Sequence, residues 1–382
     1  MATEVDMSTL NRKRIGRNFR FIGVIVVLLA GCGGTDGSLE TTEATTTQTA
    51  DATTAGPDTT TETPETTPSG VTETTVNHSE LESTNLRLAT SPPSFDTITD
   101  AYWLQLLEEA GIEVETFEFE TSPDTVRAVA AGEGDLVNTS PLAIMQYIEA
   151  SDGGLQVIAV ELLKTDYYLM STPEVGSLED LEGQIVGISE PGDLSDSLTR
   201  VVLEEAGIDV SSIEFAQIGG TSARVAALAD GQIQAGAAHA ADGLAAAEEF
   251  GLQPLARYVD YVPDYAQRFL AATPEWLEEH PALAQFLVDT LIEAQRWAQE
   301  DKDAYIALSE EVVEGLPAEI SSDVYDLFAD EGFFAVNGGM NMIDPTAQLE
   351  QRQGNLSDDL PDRSTWVDPT YVEDYLGRVG EY

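Results

Sequence analysis

A stretch of this chain is written twice, and that repetition limits the folds open to it more than any other feature. Leu107-Glu108-Glu109-Ala110-Gly111-Ile112-Glu113-Val114 returns as Leu203-Glu204-Glu205-Ala206-Gly207-Ile208-Asp209-Val210, displaced by 96 residues. Downstream the displacement becomes 99, and Ser122, Val126, Val129 and Gly132 correspond to Thr221, Val225, Leu228 and Gly231 in cap, core and stop positions. Leu86–Thr90 alternates like a short strand, and Thr99 is placed to cap a helix whose apolar face holds Trp103, Leu106, Leu107 and Ala110, ended by Gly111. Glu113–Phe119 reads as a second strand. Ser122-Pro123-Asp124 then sets an N-cap, a proline and a first-turn acid in their preferred order. That helix stops at Gly132, before a third strand at Asp135–Asn138. The same order, given twice, predicts two similar α/β lobes, each a mostly parallel sheet flanked by helices.

Sheets of this kind gather their ligand-facing loops at the carboxyl ends of the strands, beside helix N-termini. If the chain passes twice between the lobes, those loops face each other across a cleft, and two hinge crossings permit closure. Extended stretches near Ser171–Gly176 and Ala256–Val262 are the expected crossings. They assign 85–172 to the first part of lobe 1, 173–257 to lobe 2, and 258–382 to the completion of lobe 1 with C-terminal helices. From Thr273 onward the chain reads as mostly helical, and Phe286, Leu287, Leu291 and Trp297 are expected to pack it onto its lobe.

The N-terminus is of another kind. Arg12, Lys13, Arg14, Arg17 and Arg20 precede an apolar run from Phe21 to Ala30, a secretory signal pattern over 1–31. Ten apolar residues are too few to span a bilayer. Residues 32–84 form a tether in which Thr dominates and no aromatic occurs, so it lacks the apolar surface to offset ordering entropy. The net charge of −52 argues against nucleic acid, whose phosphates it would repel. Only three lysines occur, Lys13, Lys164 and Lys302. Cys32 is the sole cysteine, so no internal disulfide forms.

Leu29-Ala30-Gly31-Cys32 resembles the lipobox of bacterial lipoproteins, which implies lipidation of Cys32, Sec export and an extracytoplasmic, membrane-anchored location. Thr125–Asp135 resembles a segment of the ABC-transporter solute-binding proteins of the nitrate/sulfonate/taurine class, whose relatives include binders of thiamine-pyrimidine precursors. Ser177–Gly187 is similar to that family's entry to its second lobe. Pro191-Gly192, Leu203–Gly207, Ala227–Ala235, Glu278–Pro281 and Trp366–Tyr371 continue the pattern in order. The resemblance spans roughly 85–376. It implies a two-lobe periplasmic-binding-protein fold, type II-like, that captures a small organic solute and delivers it to an ABC permease and its ATPase. Two stretches depart from the pattern and leave the ligand class open: Asp193–Ser197, where small hydroxyl residues are usual, and Ala238–Asp242, where an aromatic-Glu-Pro is frequent.

Five loops are expected to line the cleft. The first two offer Ser91, Pro93 and Phe95, then Thr139 and Ser140; the third offers Gly192, Asp193 and Ser195; the last two offer Gly220, Thr221 and His239. Hydroxyls and amides at Ser140 and Thr221 can serve a ligand oxygen or merely cap helices. Gly192 and Gly220 would admit close backbone approach or simply serve turns. His239 is either a satisfied buried histidine or a contact to the ligand. Phe95, Tyr167 and Tyr168 either stack on a ring or pack the core. None of the five loops carries Arg or Lys, which tilts the solute toward a neutral, zwitterionic or amine-bearing molecule, while Arg224, one turn into a helix, keeps an anion open. No cofactor, metal site or catalytic residue is expected, since the chain lacks a P-loop, a G-x-S-x-G elbow and H-E-x-x-H. The rivals are a lyase-like enzyme on the same fold, with Glu190 or Asp193 as base, and a surface sensor or adhesion lipoprotein.

Overall fold

The computed structural model describes residues 85–313 and 315–382. The signal segment 1–31, Cys32 and the tether 32–84 lie outside the described residues. The first sheet holds β1 (Asn85–Thr90), β2 (Glu113–Glu118), β3 (Leu136–Thr139) and β4 (Gln156–Leu162), joined by α1 (Ile98–Glu109), α2 (Ser122–Ala130) and α3 (Pro141–Ser151). The second holds β5 (Tyr167–Ser171), β6 (Ile185–Ile188), β7 (Glu214–Gln217), β8 (Ala235–His239) and β9 (Gln253–Arg257). Its connecting helices are α4 (Leu194–Glu205), α5 (Thr221–Ala229) and α6 (Ala240–Phe250). β10 (Arg268–Ala272) returns to the first sheet, giving strand orders β2-β1-β3-β10-β4 and β7-β6-β8-β5-β9.

The duplicated sequence maps onto this duplication element by element. α1 and α4 are twelve residues each, displaced by 96; α2 and α5 are nine each, displaced by 99. Gly132 and Gly231 end the second pair with φ of 77° and 67°, a region that costs side-chain-bearing residues strain. The helix starts differ from expectation at α1, which begins at Ile98; Thr99 lies inside it and its hydroxyl donates to Glu161 instead of capping.

In each sheet the one antiparallel strand is the strand that has just crossed from the other lobe. β5 pairs antiparallel with β8 and β9, and β10 with β3 and β4. This corrects the expected first crossing at Ser171–Gly176: Tyr167–Ser171 already belongs to the second sheet, so the chain crosses at 163–166 and lobe 2 starts before 173. The second crossing runs through 258–267, beginning inside the expected stretch.

The C-terminal segment comprises α7 (Pro274–Glu279), α8 (Pro281–Glu300), α9 (Lys302–Val312), α10 (Ala318–Glu331), α11 (Ile343–Arg352), α12 (Arg363–Trp366) and α13 (Thr370–Val379). α8 buries Leu287, Val288 and Leu291 against Trp103 of α1, whose indole N–H donates to Leu287 O and Thr290 Oγ1. The segment is not confined to lobe 1. Phe328 and Tyr325 of α10 share a core with Ala240 and Ala241 of lobe 2. Behind the crossings, Glu350 of α11 accepts from Ser197 of lobe 2 at 2.9 Å and from Tyr265 at 2.6 Å. Among the described residues, no helix is long and apolar enough to cross a membrane.

One half-buried acid on α8, Glu293, sets a pH dependence. Burial, reinforced by the charge of Asp289, raises the Glu293 carboxyl to about 7, with Arg296 and Arg378 opposing. A carboxyl raised on folding favours the folded state at low pH and loses that contribution as pH rises through its folded value. Glu293→Gln is therefore expected to flatten part of the decline in unfolding free energy between pH 5 and 8, by about 2–3 kcal/mol. Urea unfolding of both proteins across that range measures it, and parallel curves would refute the assignment.

Candidate functional site

The carboxyl ends of β1, β2, β3, β6, β7 and β8 converge between the two lobes, around a cavity of about 170 Å³. Lobe 1 supplies Ser91–Ser94, Phe119, Glu120, Ser122, Thr139 and Ser140; lobe 2 supplies Tyr167, Ser189, Asp193, Gly220–Ser222, Arg224, His239 and Asp242; Gln267 enters from the second crossing and Arg268 from the start of β10. The lobes touch at the rim. Arg127 Nη2 lies 3.9 Å from Glu190 Oε1, and Glu120 sits so close to Gly220 that an added methyl there would collide with its carboxylate.

Arg268 organises the lobe 1 wall. Its Nε donates to Glu161 at 3.1 Å, Nη1 to Ser91 Oγ at 2.8 Å, and Nη2 to Thr90 Oγ1 at 3.0 Å and Asn138 O at 3.1 Å. Asp100 Oδ2 stands 3.4 Å from Nη2. Asn138 Nδ2 bridges Asp100 and Glu161 from the other side. Burial, then the neighbouring Glu161 charge, raises the Asp100 carboxyl well above the carboxylate range, with Arg268 opposing. Two buried acids, Asp100 and Glu161, share one guanidinium and one amide between them.

Arg224 on the opposite wall is arranged otherwise. It is 2 % exposed, yet its guanidinium meets only neutral acceptors: Ala237 O at 2.6 Å, Gly219 O, and Thr221 Oγ1 at 3.1 Å. Among the described residues no carboxylate pairs with it within salt-bridge distance. A buried cation held this way is stabilised by an anionic guest. Ser140 Oγ, across the cavity, is also buried without a partner.

At the hinge end, His239 Nδ1 lies 2.8 Å from Asp166 Oδ1 and 3.6 Å from Asp96 Oδ1. Although burial opposes charge on the ring, Asp166 and Asp96 raise the imidazole to about 9. Burial raises the Asp166 carboxyl, with the His239 charge and the Ala240 N–H opposing. Tyr167 packs on the ring with centroids 4.6 Å apart.

Of the residues expected at the site, Ser91, Pro93, Thr139, Ser140, Asp193, Gly220, Thr221 and His239 line the cavity. Three do not. Phe95 is 2 % exposed and packs edge-on against Tyr305 and Phe328 in the core. Gly192, with φ of 82°, turns the chain and donates its N–H to Asp196. Ser195 is buried, bonding Ser189 N at 2.8 Å. Asp193 reaches the cavity, but Oδ1 caps α4 through Leu194 N and Oδ2 accepts from Ser189. The five-loop reading missed Arg268, Gln267, Ser189, Glu120 and Asp242, and with Arg268 and Arg224 present the cleft does not lack cations.

The NMT1/THI5 like family matches residues 105–304, just over half of the chain. No curated protein matches in sequence. Among solved structures, the chain is similar to the aliphatic sulphonate binding protein SsuA of Escherichia coli, at 21% identity, 75% of this chain, 92% of that one and a TM-score of 0.57. It is similar to the nitrate-binding protein NrtA of Synechocystis PCC 6803, at 14% identity, 77% and 89% coverage and a TM-score of 0.64. The ligand-binding component of an ABC-type import system of Staphylococcus aureus, solved with zinc bound, aligns at 15% identity, 76% and 98% coverage and a TM-score of 0.63. These likenesses establish a two-lobe periplasmic-binding-protein fold.

Proposed function

Since this chain belongs to the NMT1/THI5 like family, we propose that it is the substrate-binding component of an ABC importer, anchored outside the cell membrane through Cys32 and its tether. The observation that carries the reading is the cavity of about 170 Å³ between two lobes joined by two crossings, where, among the described residues, the Arg224 charge has no carboxylate partner and the Ser140 hydroxyl no hydrogen bond. The solute is a small organic molecule with an acid group against Arg224. The carboxylates of Glu120 and Asp242 on the same cavity suit a donor or ammonium elsewhere on it. Closure over that solute makes the form that docks on the permease. Of the two bases an enzymatic role would draw on, Asp193 has both carboxylate oxygens engaged, and Glu190 faces Arg127 at the rim.

Thermal-shift screening of the full chain against small amino acids, organic acids and their sulfonate analogues tests the reading. At a hundredfold excess over Kd a cognate solute contributes about 2.7 kcal/mol, a rise of several degrees, and contracts the scattering radius. A screen in which no compound moves either quantity would count against import. Consumption of a bound compound would point to an enzyme instead.

A further inference from the structure

Four polar side chains from four separate parts of the chain meet at the hinge end of the cleft. Asp96 comes from the turn Phe95–Thr97 of lobe 1, Asp166 from the first crossing, His239 from the end of β8, and Gln267 from the second crossing. One carboxylate oxygen of each aspartate and a ring nitrogen of His239 lie within 4.8 Å of one another. We propose that these four residues form a binding site for a divalent first-row transition metal, with Zn²⁺ as its representative, that ties both lobes to both crossings.

The distances support this. Four-coordinate ligands about 2.0–2.1 Å from an ion stand roughly 3.3 Å apart. Three of the separations bracket that value, 2.8 Å from His239 Nδ1 to Asp166 Oδ1, 3.6 Å to Asp96 Oδ1, and 3.5 Å from the Gln267 amide to Asp166 Oδ1, and the aspartate oxygens lie within 4.8 Å of each other. Widening the shortest by a few tenths of an ångström admits the ion.

Gln267 supplies the independent observation. It is 3 % exposed, and its Oε1 has no partner, while its Nε2 makes only the 3.5 Å contact to Asp166. Rotating the amide by 180° exchanges oxygen and nitrogen without changing its shape. The turned oxygen then faces the Asp166 carboxylate, an arrangement that is repulsive unless a cation lies between them. With the ion in place the turned oxygen becomes the fourth ligand, and Nε2 takes the position the oxygen left.

Charge points the same way. Asp96 and Asp166 are 2 % and 3 % exposed, and the cation facing both is the protonated ring of His239. A divalent ion takes the place of that proton and neutralises both carboxylates. One imidazole, two carboxylates and an amide form a borderline donor set, unlike the all-oxygen cages of Mg²⁺ and Ca²⁺ or the thiolates of softer ions. Asp166 Oδ2 accepts from Ala240 N, and Asp96 from Ser94, the outer-shell support that fixes ligating carboxylates.

The test needs no solute and no transporter, so its result is separate from that of the importer reading. The full chain, stripped with a chelator, is titrated with Zn²⁺ in a calorimeter in excess Mg²⁺, which occupies exposed carboxylates. One equivalent is expected to bind with micromolar or tighter affinity, and Co²⁺ in its place is expected to give the visible absorption of a four-coordinate site. His239→Ala and Asp166→Asn are expected to weaken binding at least tenfold while circular dichroism shows a folded chain. If either fails to fold, Gln267→Leu is expected to show the same tenfold loss. No saturable uptake by the unaltered chain, or undiminished binding in a folded variant, overturns the site and leaves a histidine proton as the clasp.

Discussion

Arg268→Met is expected to lower the unfolding free energy by about 3–5 kcal/mol at pH 7, the largest effect of any single replacement in the cleft wall. The guanidinium serves Glu161, Asp100, Thr90, Ser91 and Asn138 together, and methionine returns none of those bonds. Glu161 is 0 % exposed and Asp100 7 %, so neither carboxylate can turn to water without opening lobe 1. Because burial already raises the Asp100 carboxyl, the deficit is expected to shrink as pH falls and Asp100 takes up a proton. Adding Glu161→Gln to Arg268→Met should recover part of the loss, since it removes a charge that no longer has a partner. Chemical unfolding at pH 5 and 8 distinguishes this from a simple packing defect, which would cost the same at both. A loss under about 1 kcal/mol would mean the network is not held by Arg268.

Arg224→Met is expected to weaken binding of an acid-bearing solute about thirtyfold or more, because a desolvated charge pair truncated on one side costs about 2–5 kcal/mol. The informative quantity is a ratio. The unaltered chain should prefer the acid over its uncharged amide, and the variant should lose that preference even if both compounds bind less well. Arg224→Lys should fall between, keeping the charge but not the planar fork that spans Ala237 O, Gly219 O and Thr221. Calorimetry on the acid and amide of whichever compound the thermal screen selects provides the measurement. An unchanged ratio would move the acid group elsewhere in the cleft.

The duplicated lobes are legible because their signals are local. A cap, a stop glycine and an apolar face three or four residues apart define each helix, and Gly132 and Gly231 mark equivalent ends without reference to the rest of the fold. Strand partners are not local. Tyr167–Ser171 has the composition of any buried strand, and only its pairing with Ala235–His239 places it in the second lobe, so the first crossing is misread by several residues. Phe95 looks like a loop aromatic until Tyr305 and Phe328 cover it from far along the chain. Arg268 escapes for a related reason. The rule that ligand loops follow parallel strands does not reach a residue that begins an antiparallel one.

That antiparallel strand also constrains the order in which the molecule is made. β10 is the middle piece that joins β3 to β4, yet it follows Thr139 by about 130 residues. The second sheet, by contrast, is complete once residue 257 has been synthesised. A chain emerging N-terminus first can finish its second half while the earlier half is still split, with two hydrophobic sheet edges waiting. The later-encoded sheet is thus complete first, and the segment from 268 closes the earlier one like the last stave set into a cask.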